Sequence, residues 1–142
     1  MHYFAYGSNM ELGHMRRLCG WHCHLLGRAR LMGFEIGIDK RGYGNIRPKQ
    51  GSKVLGVLYD IDQEGMNILD EFEGYPSVFD RKEVSVEDDD LKIFKAWVYF
   101  EPKEQFGGIN ANQHYWQRVV MAAEEHKLMP EWVAKLRRLA LL

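Results

Sequence analysis

The stretch that most constrains this fold is the first ten residues, Met1–Met10. His2-Tyr3-Phe4-Ala5-Tyr6 is an apolar run suited to a buried strand, and it stops at Gly7, which frees the backbone for a tight turn. Ser8, with Glu11 three residues later, fits the capping box that opens a helix. The pattern predicts strand, glycine turn, helix N-terminus. Such a unit aims several unpaired backbone N–H groups and a positive dipole end at one spot, and that spot suits a carboxylate or phosphate. Taken alone, Gly7-Ser8-Asn9 reads equally as a plain turn with a good cap. What shifts the reading towards binding lies far down the chain, at Glu73.

Length and charge set the outer limits. The 142 residues make one ordinary domain, residues 1–142, large enough to bury a real core. Hydrophobic residues at 46% and aromatics at 13% place the chain among compact proteins, away from disorder. A formal net charge of −1 leaves no electrostatic footprint for nucleic acid or an anionic membrane. The apolar runs are too short to span a bilayer. The N-terminus lacks the basic flank, long apolar stretch and small-residue cleavage site of a signal peptide. Two cysteines do not make a disulfide scaffold. These features lead to the expectation of a cytoplasmic protein with neither nucleic-acid nor membrane partners.

Along the chain, Asn9–Cys19 is expected to be helical, with Leu12, Met15 and Cys19 on one stripe and Gly20 as its stop. His22–Asp39 is expected to form two strands or one bent strand, broken at Gly27 and Gly33, where bulges are anticipated. Lys40–Lys53, with three glycines and Pro48, reads as loop with short extended pieces. Val54–Ile61 is a strand, and Asp62 caps a helix to about Glu73 that Gly74 and Pro76 close. Phe79–Glu87 and Leu91–Phe100 pair around the acidic turn Glu87-Asp88-Asp89-Asp90, read as a solvated hairpin turn. Glu101–Ala111 is an irregular loop. Asn112–Lys127 is a helix with Tyr115, Val119, Ala122 and Ala123 on one stripe, and Pro130 opens a last helix facing inward through Val133, Leu136 and Ala140. Strands that do not alternate regularly with helices, together with an antiparallel hairpin, point to an α+β fold.

Three groups of residues bear on chemistry. Successive helical residues turn by about 100°, so Glu73 falls between Met66 and Leu69, within an apolar stripe that Ile68 and Phe72 complete. A carboxylate there, at a helix C-terminus, is costly unless something pairs with it or uses it. Both effects push its pKa upward, towards values useful to a general acid or base. Periodicity gives equal standing to a frayed helix end whose side chain reaches water. His14, Cys19, His22, Cys23 and His24 are of zinc-binding types but lack paired ligands at regular spacing. Two buried cysteines and three ordinary histidines are the reading adopted, with no metal. There is no dinucleotide or P-loop motif and no nucleophile elbow around Ser8. Without a histidine placed to activate it, Ser8 is read as a cap.

Tyr3-Phe4-Ala5-Tyr6-Gly7-Ser8-Asn9-Met10 resembles the N-terminal signature of the γ-glutamylcyclotransferase-like (AIG2-like) family. Leu69-Asp70-Glu71-Phe72-Glu73-Gly74 resembles its second signature, a helix end carrying a catalytic glutamate just before a glycine. Gly56-Val57-Leu58-Tyr59 matches the preceding strand, and Tyr115 through Trp132 is similar to the C-terminal helical segment. The resemblance implies a mixed, strongly curled sheet forming a small barrel-like core with flanking helices. It also implies an enzyme that releases an amine or amino acid from a γ-glutamyl compound and forms 5-oxoproline, without metal or organic cofactor. Carried over residue by residue, Tyr6, Gly7, Ser8 and Asn9 would cradle the glutamyl portion, Glu73 would be general base and acid, and Tyr115 would contact substrate. The partner is then a small γ-glutamyl molecule, and the leaving amine stays open between an amino acid and an alkylamine. Two other classes remain: a non-catalytic module that binds a small carboxylate, and a hydrolase of γ-glutamyl bonds. Oligomeric state stays open, a homodimer included.

Overall fold

The computed structural model describes residues 1–142 and contains five strands and four α-helices. In chain order these are β1 (His2–Ala5), α1 (Leu12–Cys19), β2 (Cys23–Ile38), β3 (Gly44–Ile61), α2 (Gln63–Glu73), β4 (Asp80–Asp88), β5 (Ile93–Phe100), α3 (Gln113–Glu125) and α4 (Pro130–Ala140). The strands close into a barrel in the order β1-β3-β2-β4-β5. All neighbours run antiparallel except β1 and β5, which meet in parallel at Tyr3 and Trp97. The fold is α+β, as the element order suggested, and the sheet is mixed and curled into a barrel, as the resemblance implied. No helix is long and apolar enough to cross a membrane.

The long β2–β3 hairpin is what bends the sheet. Its register slips between Leu25 and Gly27 and again between Met32 and Phe34. Gly27 and Gly33 sit at these slips with φ of 142° and 81°, a region that costs residues with a Cβ. Each bulge strengthens the local twist, so β2 curls round the barrel as one bent strand. The loop expected over Lys40–Lys53 is a correction: from Gly44 onward it is strand, with Pro48 opposite Phe34. Residues 47–51 are exposed, so this ribbon carries no alternating apolar signal. Proline is tolerated at such a place because only one neighbour needs ladder bonds.

The first helix also begins later than expected. Ser8–Met10 forms a single 3₁₀ turn, closed by Met10 N–H to Gly7 O at 3.0 Å and Glu11 N–H to Ser8 O at 3.2 Å. Ser8 caps nothing with its side chain, and the predicted capping box is absent. Glu11 turns instead to Arg118, at 3.0 Å, and to Arg17. Asp62 caps α2 as predicted, accepting from Gly65 N–H at 2.8 Å, and Pro130 occupies the first turn of α4 as predicted; Asn112 in addition caps α3, accepting from Tyr115 N–H at 3.0 Å. Helices α3 and α4 cover the barrel through Trp116, Val119, Ala123, Trp132 and Leu136, all buried.

Candidate active site

Strand β1 delivers the glycine turn to one end of the barrel, and α2 ends beside it. Between them lies a cleft of about 430 Å³ lined by Tyr6, Gly7, Ser8, Asn9, Glu73 and Tyr115. Every residue singled out from the sequence as a site candidate therefore faces one cavity. Tyr3, Arg41, Tyr43, Phe72, Val78 and Phe79 complete most of its wall.

Asn9 is the joint. It is buried, and its Nδ2 donates both to Glu73 Oε1, at 3.0 Å, and to Tyr3 Oη, at 2.8 Å. Its Oδ1 lies 2.9 Å from His14 Nε2. Burial and the nearby Arg118 hold the His14 imidazole below its ordinary pKa, so at neutral pH the ring is uncharged and donates from Nε2 to the amide. Tyr59 Oη donates to the Asn9 carbonyl at 2.9 Å, tying the turn to the core. With side chain and carbonyl both anchored, the backbone of the turn is fixed. The amides of Gly7 and Asn9 donate to no backbone acceptor, and both residues line the cleft, although the turn is not the start of a long helix.

Gly7 is required for space, since its φ of −117° is open to any residue. A Cβ on Gly7 would lie 2.4 Å from Tyr115 Oη, and one on Gly44 would lie 2.9 Å from the same atom. The two glycines thus form the slot that admits the Tyr115 hydroxyl. Trp116, next in α3, donates from Nε1 to Gly42 O at 2.8 Å and holds the helix against this slot. Tyr6, by contrast, commits its hydroxyl to Tyr99 O at 2.8 Å, so it contributes a ring face to the cleft.

Glu73 is the last residue of α2, and Gly74 follows as a left-handed cap at φ 72°. The helix end is clamped by Asp70, which accepts from Arg81 Nε at 2.8 Å and from Tyr99 Oη at 2.7 Å. Arg81 is itself packed on the rings of Tyr75 and Trp97. Burial raises the Glu73 carboxyl from its ordinary value to about 7, with the Asn9 hydrogen bond and the charge of Arg41 pulling the other way. Such a group is present in both protonation states near neutral pH. Phe72, placed by periodicity in the apolar stripe, is instead about half exposed at 49% and packs on His14 at the cleft.

The family model described as gamma-glutamyl cyclotransferase, AIG2-like, matches residues 3–118. This chain belongs to that family. Its AIG2-like barrel superimposes on a solved gamma-glutamyl cyclotransferase with a TM-score of 0.88 at 24% identity, covering 98% of this chain and 87% of the other, a likeness of fold. An uncharacterized human protein gives 0.86 at 26% identity, over 97% of this chain and 86% of that one. YkqA of Bacillus subtilis gives 0.85 at 26%, over 99% of this chain and 54% of its own. Among curated sequences, a protein of Methanocaldococcus jannaschii provisionally named a gamma-glutamylcyclotransferase is 36% identical over 52 residues. That stretch is 37% of this chain and 43% of the relative. A Drosophila melanogaster protein of the same provisional name is 28% identical over 53 residues, 34% of its length. The matched stretches cover less than half of either curated relative.

Several residues of this AIG2-like site were not singled out from the sequence. Arg41 and Tyr43 sit just before β3 in a segment read only as loop, Tyr3 lines the cleft and holds Asn9, and His14 acts on the cleft through Asn9. The remaining histidines and cysteines go elsewhere: His22 pairs with Asp62 at 2.8 Å, His24 is exposed, and Cys19 and Cys23 are buried. No group of His, Cys, Asp and Glu is arranged to hold a metal ion.

Proposed function

We propose that the protein is a γ-glutamyl cyclotransferase that releases an amine or amino acid from a γ-glutamyl compound and leaves 5-oxoproline. The single observation that carries this reading is the 3.0 Å contact between Asn9 and Glu73, which couples the glycine turn to a carboxyl poised near neutrality. In the reaction the substrate's own α-amine attacks its γ-carbonyl carbon, closing a five-membered ring. The new C–N bond forms as the bond to the departing nitrogen breaks. The α-amine arrives as an ammonium and ends as a lactam N–H, so it loses one proton to water to become a nucleophile and a second as the ring closes; the departing nitrogen takes one proton to leave as an amine and another from water afterwards.

Glu73 fits both duties. As carboxylate it takes a proton from the attacking nitrogen, and as carboxylic acid it gives one to the leaving nitrogen. Asn9, donating to Oε1, holds the carboxyl in one orientation while His14 holds Asn9. The amides of Gly7 and Asn9 receive anionic oxygens of the glutamyl portion, and the rings of Tyr6 and Tyr115 confine the chain in a folded pose, an orientation task that needs no covalent intermediate. Ser8 serves through the turn's backbone, beside the Tyr115 hydroxyl.

Incubation with a panel of γ-glutamyl amino acids and γ-glutamylamines, with products resolved by chromatography, tests the assignment. The expected product is 5-oxoproline. Free glutamate would identify a hydrolase. No turnover, together with a raised melting temperature in a small carboxylate, would identify a binding module.

A further inference from the structure

Arg41 has a chemistry that the proton-transfer scheme leaves unused. It sits in the bend between β2 and β3, where buried Asp39 accepts from the backbone N–H of both Arg41 and Tyr43 at 2.8 Å. The guanidinium is tethered through one nitrogen only: Nη2 lies 3.1 Å from Glu101 Oε1 and 3.4 Å from Asp39 Oδ2. Its carbon stands 5.3 Å from the Tyr43 ring centroid and 5.8 Å from that of Phe79. Held on these sides, it keeps Nε and Nη1 without a protein acceptor, in a side chain 46% exposed at the cleft mouth. The cleft's other cation, Arg118, already spends Nε and Nη2 on Glu11. Arg41 is thus a fixed guanidinium with N–H donors left over on Nε and Nη1, a charged donor set that suits an incoming carboxylate.

The surroundings favour an incoming anion. Two carboxyls face one guanidinium, but burial and the neighbouring Asp39 push Glu101 up to about 8, while Asp39 lies below its ordinary value. Near neutral pH the cluster therefore carries no net negative charge to repel a carboxylate. Phe72 and Val78, which also line the cleft, are 49% and 43% exposed and add apolar surface to it. Arg41 and Glu73 line the same cleft, so one molecule bound there can meet both. Glu73 lies deeper and Arg41 further out, where the departing portion of a folded γ-glutamyl substrate must emerge.

We propose that Arg41 is a specificity residue that binds a carboxylate on the departing portion of the substrate, selecting γ-glutamyl derivatives of apolar α-amino acids over the matching γ-glutamyl alkylamines. This inference rests on the cyclotransferase reading above. A matched pair tests it: γ-glutamyl-leucine and γ-glutamyl-3-methylbutylamine, identical except for the carboxylate, each scored for 5-oxoproline. The native enzyme is expected to favour the leucine compound by about 10-fold or more in kcat/KM, the scale of a charge-assisted hydrogen bond. Arg41→Gln should narrow that ratio to about threefold or less, chiefly through KM for the leucine compound, and Arg41→Lys, which keeps the charge but not the Nη2 tether to Glu101 and Asp39, should fall between. Equal kcat/KM for both substrates in the native enzyme would overturn the assignment while leaving the cyclotransferase intact. So would an Arg41→Gln enzyme that loses both activities in proportion. If neither substrate yields 5-oxoproline, the cyclotransferase reading falls and this one with it.

Discussion

Replacing Glu73 by Gln should make the protein more stable at high pH, by an amount set by its surroundings. The folded carboxyl titrates at about 7 against an ordinary 4.5, chiefly because it is desolvated. The folded state therefore holds this proton more tightly than the unfolded chain does. The group favours folding fully below its unfolded value, and that contribution is lost as pH rises through the folded one. At about 1.4 kcal/mol per pH unit, the loss over this window is about 3 kcal/mol. Gln keeps an oxygen to accept from Asn9 and has nothing to titrate. Urea unfolding of both proteins at about pH 4.5 and about pH 8 isolates the effect, because Glu101 and every other group is common to the pair. The variant's advantage should grow by about 3 kcal/mol between the two conditions, which is about 10 °C in melting temperature for a chain of this size. A difference that stays constant with pH would mean that Glu73 titrates as an exposed carboxylate, and the argument for its acid/base role would fail.

Two further outcomes concern the scaffold around the cleft. Gly7→Ala puts a Cβ 2.4 Å from Tyr115 Oη and should cost about 1–3 kcal/mol from overpacking. Adding Tyr115→Phe should recover most of that, since the next ring atom is 3.6 Å away; simple additivity in the double-mutant cycle would refute the slot. Arg81→Ala leaves Asp70 with Tyr99 alone at the end of α2 and should cost about 2–4 kcal/mol in urea unfolding. A loss of about 0.5 kcal/mol or less would mark the pair as an ordinary surface bridge.

The parts of the fold that were legible in the sequence are those where local rules and tertiary packing agree. Asp62 and Gly74 bound α2, Asn112 starts α3, and Gly27 and Gly33 mark bulges; each signal depends on one or two residues, and here the packing agrees with it. The β3 extension over residues 44–53 was invisible because residues 47–51 are exposed on both faces and its only partner is β2, reached through the bulged register. Ser8 and Glu11 looked like a capping box, but Glu11 found Arg118, 107 positions away, and the turn tightened to 3₁₀. At the site, Glu73 was readable because a carboxylate interrupts an apolar period, and Gly7 because a strand stops there. Arg41 was not, since nothing local distinguishes an arginine in a glycine-rich loop from one that Asp39 and Glu101 anchor at a cleft.

The central claim is that Glu73 carries protons in both directions for a ring closure performed by the substrate itself. The most direct measurement compares kcat/KM for 5-oxoproline release from a γ-glutamyl amino acid by the native protein and by Glu73→Gln. Loss of one acid/base group predicts a fall of about 100-fold or more, with the variant folded and at least as stable near pH 8. Equal turnover by the two proteins would contradict the account.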